Sequence, residues 1–163
     1  MGIDTPAAEP VVTRPHSISQ ASVDDRGRLK LPSEFLQYLK AKGFTKFFIT
    51  TTDLRQVRIY PISVWEFNEE NVLSEAGEDS DKMERLATFM KTFGDDAEID
   101  ASGRLLLPAL LREKMELEKQ PMFIQYYGSR MNAVSKKVHD EDMQKSLDNL
   151  AEDYKLALKR GLK

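Results

Sequence analysis

Apolar and polar positions change rhythm along this chain in an order that is written twice. Alternation with a period of two marks a strand, and apolar residues returning every three or four positions mark a helix. Residues 17–23 alternate around Ile18 and read as a short strand. Leu29 and Leu31 flank Lys30, which predicts a second strand with its leucines toward a core and Lys30 toward solvent. Phe35, Leu36 and Leu39 make the stripe of a helix over 33–42, opened by Pro32 and ended by Gly43. Residues 46–51 and 57–60 are rich in β-branched and aromatic side chains, and Asp53-Leu54-Arg55 joins them as a hairpin. Pro61 ends that hairpin, and Ser63 is the expected cap of a helix carrying Val64, Trp65 and Phe67.

After a loop rich in Gly, Ser, Asp and Glu over 74–81, Met83, Leu86, Ala87 and Met90 recur at helical spacing up to Gly94. The order then starts again. A strand through Ile99, a strand with Leu105 and Leu107, and a helix around Leu110, Leu111 and Met115 follow one another. Residues 122–127 are a strand, Gly128-Ser129 a turn, and 131–135 a weaker strand. A last helix from about Asp140 carries Met143, Leu147, Leu150, Tyr154 and Ala157 to a basic tail over 159–163. Each half therefore reads strand, turn, strand, helix, hairpin, helix. Half of such a unit is too open to bury both faces of its strands, so pairing with its twin into one pseudo-two-fold domain is expected.

The turn at the head of each half is the most informative stretch. Asp24-Asp25-Arg26-Gly27-Arg28-Leu29-Lys30-Leu31-Pro32 returns 76 residues later as Asp100-Ala101-Ser102-Gly103-Arg104-Leu105-Leu106-Leu107-Pro108, six of nine positions identical, in the pattern D-x-x-G-R-L-x-L-P. Gly27 and Gly103 supply the left-handed backbone that a tight turn needs. Asp24 and Asp100 shape the turns, by accepting from turn amides or by pairing with the twin turn's arginine. Arg28 and Arg104 carry planar, permanently charged forks that fit a phosphate or the O6/N7 edge of guanine. Arg26 and Lys30 add phosphate-type contacts in the first copy, and Ser102 is the uncharged counterpart in the second. The alternative is a pair of solvated turns with local Asp–Arg pairs worth ~0–1 kcal/mol each, but duplication of the whole box favours a structural and functional reason for it.

Composition narrows the classes. The 163 residues suit one medium domain or two small ones, and 40% hydrophobic with 31% charged residues is ordinary for a soluble protein. No apolar run approaches bilayer length and no signal-peptide layout opens the chain, so no membrane partner and a cytoplasmic location are expected. Zero cysteines exclude a disulfide framework, and two histidines, His16 and His139, make a metal or catalytic cluster improbable. No cofactor and no enzymatic activity are expected, since no nucleophile, base and phosphate loop come together. The net charge of −3 hides a partition: residues 1–60 carry 9 Lys/Arg against 6 Asp/Glu, 61–100 carry 3 against 12, and 101–163 carry 12 against 9. The acid sits in the connector, and both box-bearing parts are mildly basic, which permits a polyanionic partner.

The two boxes, their spacing, and Val57-Arg58-Ile59-Tyr60-Pro61-Ile62-Ser63-Val64-Trp65-Glu66 resemble the bacterial MraZ family, in the AbrB/SpoVT superfamily of swapped-hairpin DNA-binding barrels. The resemblance covers about residues 17–150. It implies an α+β fold in which two tandem AbrB-like swapped-hairpin β repeats form one pseudo-two-fold barrel with peripheral helices. On that plan the chain divides into a flexible tail (1–16), a first repeat (17–75), a connecting loop and helix (76–95), a second repeat (96–150), and a helix end with basic tail (151–163). The resemblance also implies a regulator of the division and cell-wall gene cluster, a nucleoid-associated ring-like homo-oligomer that reads short direct repeats in double-stranded promoter DNA. The implied contacts are Arg26, Arg28, Lys30, Ser102 and Arg104, shaped by Asp24, Gly27, Asp100 and Gly103. The chain departs from the family pattern at Ser102, at Asn132-Ala133-Val134-Ser135-Lys136-Lys137, and in its longer leading tail. The alternative from another class is an antitoxin-like protein-interaction module, also built on this turn.

Overall fold

The computed structural model describes residues 11–118 and 120–163. In chain order the elements are β1 (Ser19–Val23), β2 (Arg28–Lys30), α1 (Ser33–Lys42), β3 (Lys46–Thr50), β4 (Gln56–Pro61), α2 (Ile62–Asn68), a π-helical turn (Glu69–Leu73), and α3 (Ser80–Phe93). They continue with β5 (Asp95–Glu98), β6 (Arg104–Leu106), α4 (Ala109–Met115), β7 (Pro121–Tyr127), β8 (Arg130–Ser135) and α5 (Lys136–Lys159). The strands form one antiparallel sheet in the order β5-β3-β4-β8-β7-β1-β2-β6. Its two ends, β5 and β6, are tied by the second box, so the sheet nearly closes into a barrel.

The two halves share this sheet by exchange. Hairpin β3–β4 of the first half takes β5 of the second as its neighbour, and hairpin β7–β8 takes β1 of the first. The boxes meet through β2 and β6, which pair Arg28 with Leu106, Leu29 with Leu105 and Lys30 with Arg104. Across the barrel β4 meets β8, with Val57 opposite Ala133, Arg58 opposite Asn132 and Ile59 opposite Met131. Both junctions are self-complementary about a local two-fold axis, the geometry expected of two like units in one chain.

Period-two alternation decides which side chains fill the barrel. Leu29, Leu31, Phe47, Ile49, Val57, Ile59 and their counterparts Leu105, Leu107, Met122, Ile124, Met131 and Ala133 are all buried in one core. The helices α1 and α4 cap it with Phe35, Leu39 and Leu111. Burying each large apolar side chain contributes about 1.5–3 kcal/mol, so this core outweighs any surface ion pair. A second, smaller cluster lies outside the barrel wall, where Phe48, Tyr60, Trp65 and Met90 pack under α2 and α3. Trp65 stacks on Phe48 with centroids 4.2 Å apart and is 4% exposed, which makes it the anchor of that cluster.

Several expectations need correction. Pro61, not Ser63, precedes α2, which starts at Ile62 without a side-chain cap; its acids fall at Glu66 and in the following π-helical turn. The strand 131–135 is not weak. As β8 it is central, hydrogen-bonded on both sides, and its polar look comes from Asn132, which is buried and accepts from Arg130 Nε at 3.0 Å. The last helix begins at Lys136 rather than Asp140, because Ser135 accepts from the Val138 amide and caps it. Its stripe does not face the barrel: Met143, Leu147, Leu150 and Tyr154 are exposed. The expected flexible tail lies outside the described residues for 1–10, whereas Arg14 donates to the Gly128 carbonyl at 2.7 Å and lies over the Tyr126 ring.

Gly94 also ends α3 for a reason other than the one expected. Its backbone is extended, but a Cβ there would strike the Phe48 ring and sit 2.6 Å from the Met90 carbonyl. Gly94→Ala is expected to lower stability by about 1–3 kcal/mol, the usual cost of overpacking, as read by urea denaturation; a change under 0.5 kcal/mol would refute this packing argument.

Candidate nucleic-acid interface

The two boxes have the same internal wiring. In the first, the Asp24 amide donates to the Arg28 carbonyl at 2.9 Å and the Gly27 amide donates to the Asp24 carbonyl at 3.0 Å. Asp24 Oδ1 accepts from the Arg26 and Arg28 amides at 3.0 and 2.9 Å, and Oδ2 from Arg28 Nε at 2.8 Å. In the second, Asp100 Oδ1 accepts from the Ser102 and Arg104 amides, both at 2.9 Å, and Oδ2 from Arg104 Nε at 3.1 Å. Gly27 and Gly103 have φ of +79° and +76°, which L side chains rarely adopt. The aspartate thus acts as a template: it fixes the turn with one oxygen and the arginine with the other.

Spatially the boxes are one object. The Leu31 amide donates to the Gly103 carbonyl at 3.1 Å, and the Leu107 amide returns the bond to the Gly27 carbonyl at 3.0 Å. Lys30 Nζ donates to the Ser102 carbonyl. Arg104 Nη1 stands 3.5 Å from Asp24 Oδ2, so Asp24 serves both turns. Arg28 and Arg104 are about a quarter exposed, while Arg26 and Ser102 are exposed beside them. Each arginine spends Nε on its own aspartate. That leaves the far nitrogens of Arg28 for a ligand.

Arg112 is the basic residue that the sequence reading missed. It reaches from α4 over Gly27, donates from Nε to the Leu107 carbonyl at 3.0 Å, and would collide with any Cβ at position 27. Leu36 on α1 does the same above Gly103, and positions 36 and 112 are 76 apart like the boxes themselves. Extending the repeat alignment past the prolines would have exposed Arg112 as a charge unique to the second copy. Tyr126, on β7, packs against Phe35 and Tyr38, and burial pushes its hydroxyl up to about 12. Tyr127 is exposed beside Arg130. His139 stacks on Phe123 at 4.0 Å, and no group of three His, Cys, Asp or Glu side chains among the described residues could hold a metal.

Such a fold and site define a class: a tandem, strand-exchanged barrel with two fused D-x-x-G-R turns. Proteins of known name share it in sequence. The chain is 35% identical to the transcriptional regulator MraZ of Acidobacterium capsulatum over 95 residues, 58% of this chain and 64% of that protein. It is 30% identical to the protein of that name from Actinobacillus pleuropneumoniae over 109 residues (66% and 70%), and 30% identical to that from Koribacter versatilis over 108 (64% and 73%). No protein-family model matches the chain. The chain belongs to the MraZ family.

The amide bond from Arg28 holds the Asp24 carboxyl below its ordinary 3.8, partly opposed by desolvation and aided by Arg26's amide and Arg28's side chain. Asp100 is lowered in the same way, first by the Arg104 amide. A carboxyl lowered on folding stabilises the protein above its unfolded value and loses that contribution as pH falls through the folded one. Asp24→Asn is therefore expected to destabilise the protein at pH 7, with the gap to the native chain narrowing at a pH below the ordinary 3.8. Urea titrations at the two pH values check this, and a gap that persists at low pH would show that geometry rather than charge carries the effect.

Proposed function

We propose that this protein is a DNA-binding transcriptional regulator that reads promoter DNA with its fused boxes. The observation that supports this most is the pairing of Arg28 and Arg104 around Asp24 at one end of the barrel, with Arg26 and Lys30 on the same turns. Preorganised guanidinium groups lose little freedom on meeting a base edge or a phosphate. In this reading Arg28 and Arg104 read guanine edges, and Arg26, Lys30 and Ser102 hold the backbone. Asp24, Asp100, Gly27 and Gly103 keep the turns in shape. The relatives' shared name supports a regulator.

A net-acidic chain with so few cations grips DNA weakly as a single copy. We propose that ring-like homo-oligomers, acting in the cytoplasm at the nucleoid, engage successive short direct repeats upstream of the division and cell-wall genes. Each further engaged copy then acts at high effective concentration. The uncovered apolar stripe of α5 supports self-association.

The double variant Arg28→Ala/Arg104→Ala is expected to lose specific binding to the native upstream repeats by roughly 30-fold or more in gel-shift titration, at about 1–3 kcal/mol per lost base contact. Its thermal midpoint should stay near native. Undiminished affinity for the repeats sinks the reading. Arg26→Ala is expected instead to weaken all sequences alike and to lower the salt slope by about one; a sequence-dependent loss at Arg26 would reverse the assignment of roles.

A further inference from the structure

The junction of β4 and β8, across the barrel from the boxes, holds an unneutralised pair of arginines. Alternation sends Val57, Ile59, Met131 and Ala133 into the core and leaves Arg58, Tyr60, Arg130 and Asn132 on the outer face of the same two strands. That face is only partly open to solvent, with Arg58 and Arg130 half-buried. The second apolar cluster covers it, and between them lies a cavity of about 280 Å³. Polar Arg58, Arg130, Tyr60 and Asn68 line it together with apolar Trp65 and Met90.

The polar accounting of this cavity does not close. Arg58 donates from Nη1 to the Tyr60 hydroxyl at 3.1 Å, but its Nε is buried without a hydrogen-bond partner, the one such side-chain atom found among the described residues. Arg130 donates from Nε to Asn132 Oδ1 at 3.0 Å, and its guanidinium lies 5.8 Å from the Tyr60 ring centre and 5.4 Å from that of Tyr127. Among the described residues, no carboxylate lines the cavity. Burial, then the charge of Arg58, lowers the pKa of Arg130, and only the two tyrosines act against that. Buried guanidinium groups are normally paired, since an unpaired buried charge is costly. Two half-buried guanidinium groups side by side, one orphaned donor and an aromatic wall have the makings of an anion site.

We propose that this cavity binds a small organic oxyanion, a carboxylate or phosphate head group on a compact apolar or aromatic body. The guanidinium groups of Arg58 and Arg130 take the head group, and Trp65 with Met90 takes the body. The cavity volume limits the body to about one ring. This site stands on its own observations and does not depend on the boxes binding DNA.

Trp65 is the chain's single tryptophan, so its emission reports this cavity alone. Phenyl phosphate and benzoate serve as probes on the full chain, with chloride holding ionic strength constant. Each is expected to change Trp65 emission saturably and to raise the thermal midpoint. Arg58→Gln and Arg130→Gln should each weaken the response at least tenfold, and Arg160→Gln, at the exposed end of α5, should leave it unchanged. If Arg58→Gln fails to fold, Arg130→Gln carries the test. Inorganic phosphate, lacking a ring, should bind more weakly than phenyl phosphate; equal affinity removes the apolar half of the proposal. It is overturned outright by no saturable response up to tens of millimolar probe, by undiminished binding in both folded variants, or by a response that appears only as the protein self-associates.

Discussion

The exchange of backbone bonds between the boxes, Leu31 to Gly103 and Leu107 to Gly27, is the constraint on which the rest of the structure depends. Each bond uses the carbonyl of one turn's glycine to hold the strand that leaves the other turn. The glycines must be left-handed for their turns to form, and the helices α1 and α4 press Leu36 and Arg112 against them so closely that no Cβ fits. Turn, strand junction and helix packing are thereby fixed by the same two residues. The leucines of the boxes then point inward and start the barrel core, while the arginines remain at its end.

From this follows a division of labour within nine residues. Gly, Leu and Pro specify how the box folds and where the next helix starts, and none of them needs to meet a ligand. Asp24 and Asp100 engage both carboxylate oxygens inside the turns, so their charge is used to orient arginines rather than to repel a polyanion. Lys30 turned out to span the two boxes through the Ser102 carbonyl, a structural bond that the sequence could not suggest because its partner lies 72 positions away. Its charge nevertheless remains at the same place.

The repeat made much of the fold legible. Pattern and period located the strands and the existence of the helices, though not the starts of α2 and α5, and the duplication led to a shared two-fold barrel because neither half could cover its own strands. What escaped depended on long-range partners. Asn132 looked like a break in a strand because its hydrogen bond to Arg130 and its place opposite Arg58 are invisible in a linear reading. The stripe of α5 carried a sound helical period, yet nothing among the described residues folds back to cover it. The start of α5 at Lys136 depends on Ser135, whose hydroxyl caps it by accepting from the Val138 amide. At the boxes, the chemistry of Asp, Gly and Arg was readable from residue type; the bridge from Asp24 to Arg104 and the cover from Arg112 were not.

The two-fold axis through β4 and β8 has a genetic corollary. In a dimer of identical chains, whatever residue stands on such an axis must face its own copy. An arginine at that place would confront an arginine, and an asparagine an asparagine. Joining the halves into one polypeptide lifts that rule, and this chain has used the freedom: Arg58 faces Asn132 across the axis, as Arg112 and Leu36 occupy matched places above the two glycines. Gene fusion here did more than secure partners for each other. It let a symmetric scaffold acquire two unlike ends of the same seam, each free to drift toward its own chemistry.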